Sequence, residues 1–203
     1  MRQTEKRRFV LLDRDGTINV EHHYLSRIEQ VELLPRTASG LRVMRALGLG
    51  LAVITNQSGI GRGYFDEEQL AAIHRRLADL LVAEGLTLDG IFHCPHVPED
   101  NCACRKPNTA LVERAAAALD FEPSACFVIG DKPCDIELGQ RLGAVTLLVR
   151  TGYGATHAEA GDATPDYIVD DLYEAARIIT RLMAAEGAQP HVSAARPKSD
   201  SRP

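Results

Sequence analysis

Two carboxylates, Asp13 and Asp15, stand one residue apart where the apolar run Phe9-Val10-Leu11-Leu12 stops. Adjacent acids repel, so a site that gathers them neutralises them with a cation or exploits their differing pKa values. An all-oxygen pair suits Mg2+, which is held by one or two carboxylates together with waters and substrate phosphate. A strand end is also where a phosphoryl-transfer nucleophile sits, because open α/β sheets bind ligands outside the carboxyl ends of their strands. Gly16 lets the chain turn sharply, and Thr17 can cap the next element. The competing reading is an acidic turn closing a strand, since Asp-Gly is an ordinary turn dipeptide.

Three further stretches carry chemistry. Val53-Ile54 runs into Thr55-Asn56-Gln57-Ser58-Gly59 and a glycine-punctuated loop through Gly63, a hydroxyl and a set of backbone N–H groups suited to a phosphate oxygen, or simply a polar loop before a helix capped by Asp66. Phe127-Val128-Ile129 ends in Gly130-Asp131-Lys132, so Asp131 is a third strand-end acid able to complete a magnesium site with Asp13. Asp135 is read first as a helix cap and second as a partner of Lys132. Between Ile91 and Pro107, Cys94 with His96 and Cys102 with Cys104 form two close pairs, a donor set for a tetrahedral, closed and therefore structural zinc site on an irregular loop; free thiols are the alternative. His93 is a neighbour rather than a ligand, and Cys126 and Cys134 are buried packing thiols. Arg105 and Lys106 come directly after the last zinc-type residue. Lys106 can neutralise a phosphate beside Asp13 and Arg105 can grip a second anion through its bidentate fork, unless the two are a solvated basic pair.

Such side chains need elements to hold them. Apolar runs at Phe9–Leu12, Gly50–Thr55, Gly90–His93, Phe127–Gly130, Val145–Val149 and Tyr167–Val169 read as buried strands. Amphipathic stretches at Thr37–Leu47, Asp66–Glu84, Thr109–Leu119, Cys134–Leu142 and Leu172–Glu186 read as helices. Strands alternating with helices predict an α/β doubly wound parallel sheet. In Asp66–Glu84 the stripe Leu70, Ile73, Leu77, Leu80, Leu81 faces the sheet, with His74 at its edge or on the surface.

The 203 residues, 45% hydrophobic and 25% charged, suffice for one domain with a full core and no disulfides. A formal net charge of −5 argues against a general nucleic-acid surface, and no apolar stretch approaches a membrane span. The basic Met1–Arg8 segment precedes an apolar run too short for a secretory signal, so a cytoplasmic protein is expected. We expect a single domain over residues 1–186, a zinc loop at 92–107, and a disordered tail at 187–203, where Pro, Ser, Ala, Lys and Asp show no apolar period. A monomer is expected from the small domain and the lack of a large unexplained apolar stripe.

With these motifs assembled in order, Asp13-Arg14-Asp15-Gly16-Thr17, Thr55, Lys106 and Gly130-Asp131, the chain resembles the haloacid-dehalogenase-like (HAD) phosphohydrolases. Thr55 to Gly63, Cys94-Pro95-His96 with Cys102-Ala103-Cys104-Arg105-Lys106-Pro107, and Gly130-Asp131-Lys132 narrow the resemblance to a branch acting on heptose bisphosphates, over about Phe9 to Ala184. The resemblance implies a Rossmann-like core without a large cap domain and a small-molecule sugar bisphosphate as substrate. It implies release of the 7-phosphate in the synthesis of lipopolysaccharide-core heptose precursors.

It further implies that Asp13 attacks phosphorus and forms an aspartyl-phosphate, and that Asp15 protonates the leaving oxygen and then activates water. Thr55 and Lys106 hold the phosphoryl group. Asp13, the Asp15 carbonyl and Asp131 bind Mg2+, while Cys94, His96, Cys102 and Cys104 bind Zn2+. Arg105 recognises the phosphate that stays. Glu21, His22, His23, Tyr24, Asn56, Gln57 and Ser58 line the sugar site, and Lys132 contacts substrate. The segment Glu21–Tyr24 departs from a common Asp-His-Gly-Tyr form, with His23 where glycine is often found. Histidinol-phosphate phosphatases share the catalytic motifs and zinc loop and are the nearest alternative, disfavoured by the Ser58-Gly59-Ile60-Gly61-Arg62-Gly63 loop. A zinc-stabilised binding module would not be expected to keep Asp13, Asp15, Thr55, Lys106 and Asp131 together. A DNA-end phosphatase lacks support in the acidic composition.

Overall fold

The computed structural model of the chain describes residues 6–187. Each apolar run is a strand: β1 (Phe9–Leu12), β2 (Gly50–Asn56), β3 (Gly90–Cys94), β4 (Phe127–Gly130), β5 (Val145–Val149) and β6 (Tyr167–Val169). They form one parallel sheet in the order β3-β2-β1-β4-β5-β6. The helices are α1 (Thr37–Ala46), α2 (Ser58–Gly61), α3 (Glu67–Ala83), α4 (Ala110–Leu119), α5 (Pro133–Leu142), α6 (Gly154–Ala160) and α7 (Leu172–Gly187).

The two-residue period of a strand sorts the core into layers. Val10, Leu12, Leu51, Val53 and Ile129 meet Leu41 and Met44 of α1, Ile73 and Leu77 of α3, and Ala176 and Ile179 of α7 on one face. Phe9, Leu11, Ala52, Ile54 and Val128 meet Leu111, Val112 and Ala115 of α4 and Leu138 of α5 on the other. Both faces are therefore covered, which is why the strands read as continuous apolar runs rather than alternating ones.

Pairing of Leu12 with both Val53 and Ile129 sets the carboxyl ends of β2, β1 and β4 level. The order reverses at β1, and that switch point is where a doubly wound sheet opens its crevice. The bond from Asp13 N–H to the Ile129 carbonyl, 2.9 Å, extends the β1/β4 ladder into the site. Asp66 caps α3 as expected, its carboxylate accepting from Gln69 N–H at 2.8 Å.

Several expectations are corrected. Cys94 is the last residue of β3, paired with Asn56, so the proposed zinc loop begins on regular structure and contains a 3-10 turn at Pro98–Asp100. Thr17 caps nothing: its hydroxyl oxygen is buried without a hydrogen-bond partner. Gly187, placed in the tail by the sequence, closes α7, and the rest of that tail lies outside the described residues. Among the described residues no helix is long and apolar enough to cross a membrane.

Candidate active site

A cavity of about 450 Å³ opens at the carboxyl end of the sheet. It gathers Asp13 from the end of β1, Thr55 from β2, Arg105 and Lys106 from the loop after β3, and Lys132 from the loop after β4. Asp15, Glu21, His23, Tyr24, Asn56, Gln57 and Ser58 also line it. His22 does not: it is exposed and stands outside the cavity wall, the one proposed substrate contact that the fold leaves away from the rest.

Lys106 is the cation at the centre. Its ammonium lies 2.9 Å from Asp13 Oδ1 and 2.6 Å from Asp135 Oδ1, and donates to the Ile54 carbonyl at 2.7 Å. Burial alone would lower its pKa, but the two carboxylates outweigh it and hold the amine above its ordinary value. Asn56 fixes this lysine's backbone from both sides, accepting from Lys106 N–H at 3.0 Å and donating to its carbonyl at 3.2 Å.

Asp13, which lines the cavity, and the buried Asp131 and Asp135 bring oxygen atoms within 4.8 Å of one another. Asp135 caps α5 as expected, but from inside the helix: it is the third residue of α5, and its Oδ2 accepts from the backbone N–H of Lys132, the residue before the helix, at 3.1 Å, while its other oxygen faces Lys106 rather than the Lys132 side chain. Burial, joined by the charges of Asp13 and Asp135, pushes Asp131 up to about 8, and burial likewise raises Asp135. Asp131 Oδ2 accepts from Tyr153 N–H at 2.9 Å, whereas its Oδ1 is buried with no hydrogen-bond partner. A buried carboxylate oxygen that accepts no hydrogen bond and has only the Lys132 ammonium near it, at 3.7 Å, forms with a second acid a donor set that a hard divalent cation satisfies, so the residues fit Mg2+. Gly16 is obligatory here: it has φ +79, and a Cβ on it would lie 2.2 Å from Asp131 Oδ2.

Asp15 is held differently. Its oxygens receive Arg14 Nε at 3.0 Å and Nη2 at 2.6 Å, Asn19 Nδ2 at 2.9 Å and Gln57 Nε2 at 3.0 Å. Burial works to raise its pKa, but the Arg14 guanidinium and the other donors hold it below the usual carboxylate value. Gln57 also donates to Thr55 Oγ1 at 2.9 Å and accepts from Arg14 Nη2 at 3.1 Å, so its amide is committed to the protein. His74, read as a surface or stripe-edge residue, is half-buried with Nε2 3.1 Å from Arg14 Nη1. Burial, then the charge of Arg14, lowers its pKa to about 3.

The four zinc-type residues converge. Cys94 Sγ lies 3.6 Å from Cys102 Sγ and 3.2 Å from Cys104 Sγ, Cys102 and Cys104 are 3.5 Å apart, and His96 Nδ1 is 3.5 Å from Cys94 and 3.3 Å from Cys104. A tetrahedron with Zn–S bonds of about 2.3 Å has edges of roughly 3.8 Å, so this cluster is the right shape and slightly contracted. His93 stands outside it, 2.9 Å from Glu67. Arg105, next to Cys104, donates to the His96 carbonyl at 3.2 Å and so ties the cavity wall to the cluster.

Sequence reasoning missed some of the wall. Cys134, read as packing, is half-buried and lines the cavity, while Cys126 is buried as expected. Tyr153 and His157 come from the segment after β5, whose strand end went unread because it carries no acid; the strand-end rule alone points to it. On the rim, Lys132 Nζ meets Glu21 Oε2 at 2.8 Å and lies 5.1 Å from the Tyr153 ring centroid, and the Tyr153 hydroxyl is 3.4 Å from His23 Nδ1.

A doubly wound sheet of this order, with an acid pair, a hydroxyl, a buried lysine and a further acid cluster at adjoining strand ends, defines a HAD-like hydrolase, and the HAD-hydrolase-like family matches residues 103–175. A D-glycero-beta-D-manno-heptose-1,7-bisphosphate 7-phosphatase of Haemophilus influenzae is 35% identical over 182 residues, 85% of this chain and 97% of its own. The D-glycero-alpha-D-manno-heptose-1,7-bisphosphate 7-phosphatase of Photorhabdus laumondii is 37% identical over 159 residues, 74% of this chain and 87% of its own. The crystal structure of D,D-heptose 1,7-bisphosphate phosphatase from B. bronchiseptica, complexed with magnesium and phosphate, superposes with a TM-score of 0.80 at 30% identity, covering 86% of this chain and 99% of that one. The chain belongs to the heptose-1,7-bisphosphate 7-phosphatase family of HAD-like phosphoric monoester hydrolases.

Proposed function

We propose that this chain removes the 7-phosphate of D-glycero-D-manno-heptose 1,7-bisphosphate and releases heptose 1-phosphate. The observation that carries the reading is the cavity itself, where Asp13, Thr55 and Lys106 stand beside an arginine tied to a zinc-type cluster. Asp13 attacks phosphorus and becomes the aspartyl-phosphate. Thr55 donates its hydroxyl hydrogen to a phosphoryl oxygen, and Lys106 neutralises charge as it develops on that group. Asp15, a carboxylate in the free site, takes a proton from solvent once the anionic phosphate is bound beside it, gives it to the departing sugar oxygen and then takes one from the water that hydrolyses the intermediate. Asp13, Asp131 and the Asp15 carbonyl would hold Mg2+, which when bound screens the negative phosphate from the carboxylates. Cys94, His96, Cys102 and Cys104 would hold Zn2+, all four positions filled by protein and none left for chemistry.

Arg105 grips the phosphate that is retained, which distinguishes a bisphosphate from a monophosphate. Glu21, His23, Tyr24, Ser58 and Lys132 face the sugar, whereas the committed amides of Asn56 and Gln57 support positioning of Lys106 and Asp15. The test is phosphate release from both anomers of the heptose bisphosphate and from histidinol phosphate, with Mg2+ and without it. The reading requires magnesium-dependent turnover in which a heptose anomer exceeds histidinol phosphate in kcat/KM; faster turnover of histidinol phosphate overturns it.

A further inference from the structure

Arg14 stands between the two acids, and nothing in the proposed mechanism uses it. It is nevertheless among the largest fully buried side chains, 1% exposed. A buried guanidinium is tolerated only when its donors are paired, and here they are paired to one purpose. Nε and Nη2 form a fork on the carboxylate of Asp15, the very next residue, at 3.0 and 2.6 Å. Nη2 also donates to Gln57 Oε1 at 3.1 Å. Nη1 lies 3.1 Å from His74 Nε2, and because arginine only donates, that ring nitrogen accepts and carries no proton.

The network has a direction. His74, from α3, anchors the far side of the guanidinium, and the guanidinium sets the rotation of the Asp15 carboxyl about its two side-chain bonds. Gln57 joins the same carboxyl to the Thr55 hydroxyl through bonds of 3.0 and 2.9 Å. An acid that must meet a departing oxygen gains most from fixed orientation, since a displacement of about 1 Å costs roughly 10²-fold. We infer that Arg14, braced by His74, is the positioning residue that aims the Asp15 carboxyl at the leaving-group oxygen. The inference rests on the reading of Asp15 as the acid.

The leaving group supplies the test. A sugar alkoxide needs a proton as it departs; p-nitrophenolate does not. Because kcat/KM reports only the steps up to alcohol departure, the later hydrolysis of the aspartyl-phosphate, shared by all substrates, drops out. We compare kcat/KM for heptose bisphosphate and p-nitrophenyl phosphate in the full-length wild type and in Asp15→Asn, Arg14→Lys, His74→Phe and His74→Gln. Arg14→Lys keeps the charge but loses the fork. It is expected to lose about 10²-fold on the sugar substrate and under about 10-fold on the aryl ester, within the range that a general acid contributes. His74→Phe removes the brace and shows the same selectivity at several-fold, and His74→Gln, which keeps an acceptor, restores it.

If Arg14→Lys does not fold, the His74 pair decides alone. Equal loss on both substrates in Asp15→Asn overturns the acid reading. Selective loss in Asp15→Asn with equal or no loss in Arg14→Lys and His74→Phe overturns the positioning role while leaving Asp15 as the acid. His74→Gln as impaired as His74→Phe also overturns it.

Discussion

Replacing Lys106 by methionine tests the charge balance on which the site is built. The side chain is 2% exposed and its ammonium is the near neighbour of two carboxylates, at 2.9 Å from Asp13 and 2.6 Å from Asp135. Methionine fills nearly the same volume, so little of the effect comes from a cavity. What remains is two acids facing each other in a buried site without their cation, and removing one partner of a buried ion pair costs about 3–5 kcal/mol. In a chain of this length each kcal/mol moves Tm by about 2–4 °C, which gives a fall of about 10 °C in magnesium-free buffer near neutral pH.

The same reasoning fixes the pH dependence. Burial already holds the folded Asp135 carboxyl above its ordinary value of 3.8, and loss of Lys106 raises it further. A carboxyl with a folded pKa above the unfolded one binds its proton preferentially in the folded state, so its destabilising effect fades as pH falls from the raised value toward the ordinary one. The Tm deficit of Lys106→Met therefore shrinks on acidification. Adding Asp135→Asn to Lys106→Met removes one of the stranded charges while keeping an oxygen for the Lys132 N–H, and should recover more than half of the lost stability. A Tm fall of under about 3 °C, a deficit that grows on acidification, or a double variant no more stable than Lys106→Met would each refute the picture of a lysine that balances two buried acids.

The same geometry sets three further outcomes. Asp13→Asn keeps the side-chain shape beside Lys106 and should abolish phosphate release with Tm nearly unchanged; measurable turnover of about 1% or more rejects Asp13 as nucleophile. Gly16→Ala forces a non-glycine residue to φ +79 and drives a methyl to 2.2 Å from Asp131 Oδ2, so stability should fall by about 2–4 kcal/mol and the magnesium needed for half-maximal activity should rise. Cys104→Ser should leave the purified protein with little zinc by elemental analysis, lower its Tm, and raise KM for the bisphosphate more than for a monophosphate ester, because Arg105 is tied to the cluster through the His96 carbonyl.

The sheet was legible because its strands are buried on both faces and so appear as unbroken apolar runs, and the long helices because α3 and its like repeat apolar residues at three and four. Short helices escaped for the converse reason: α2 (Ser58–Gly61) and α6 (Gly154–Ala160) are glycine-bearing single turns or little more, with no apolar period to read. Within the site, residues at strand ends were visible because the chain positions them directly. Residues whose work depends on partners from distant elements were not. Arg14 drew no reading of its own, His74 read as a helix edge and Asp135 as a cap alone, yet each has partners dozens of residues away: Arg14 in Gln57 and His74, Asp135 in Lys106.

The same limit explains the two amides. Asparagine and glutamine at a cavity wall look like sugar ligands in a sequence, because residue type shows how many hydrogen bonds a side chain can make but not which partner takes them. Here Asn56 closes on the Lys106 backbone and Gln57 bridges Asp15, Thr55 and Arg14. On the proposed function, the sugar and second-phosphate contacts fall to Glu21, His23, Tyr24, Lys132 and Arg105 on the loops, while the reacting groups Asp13 and Thr55 stand at strand ends.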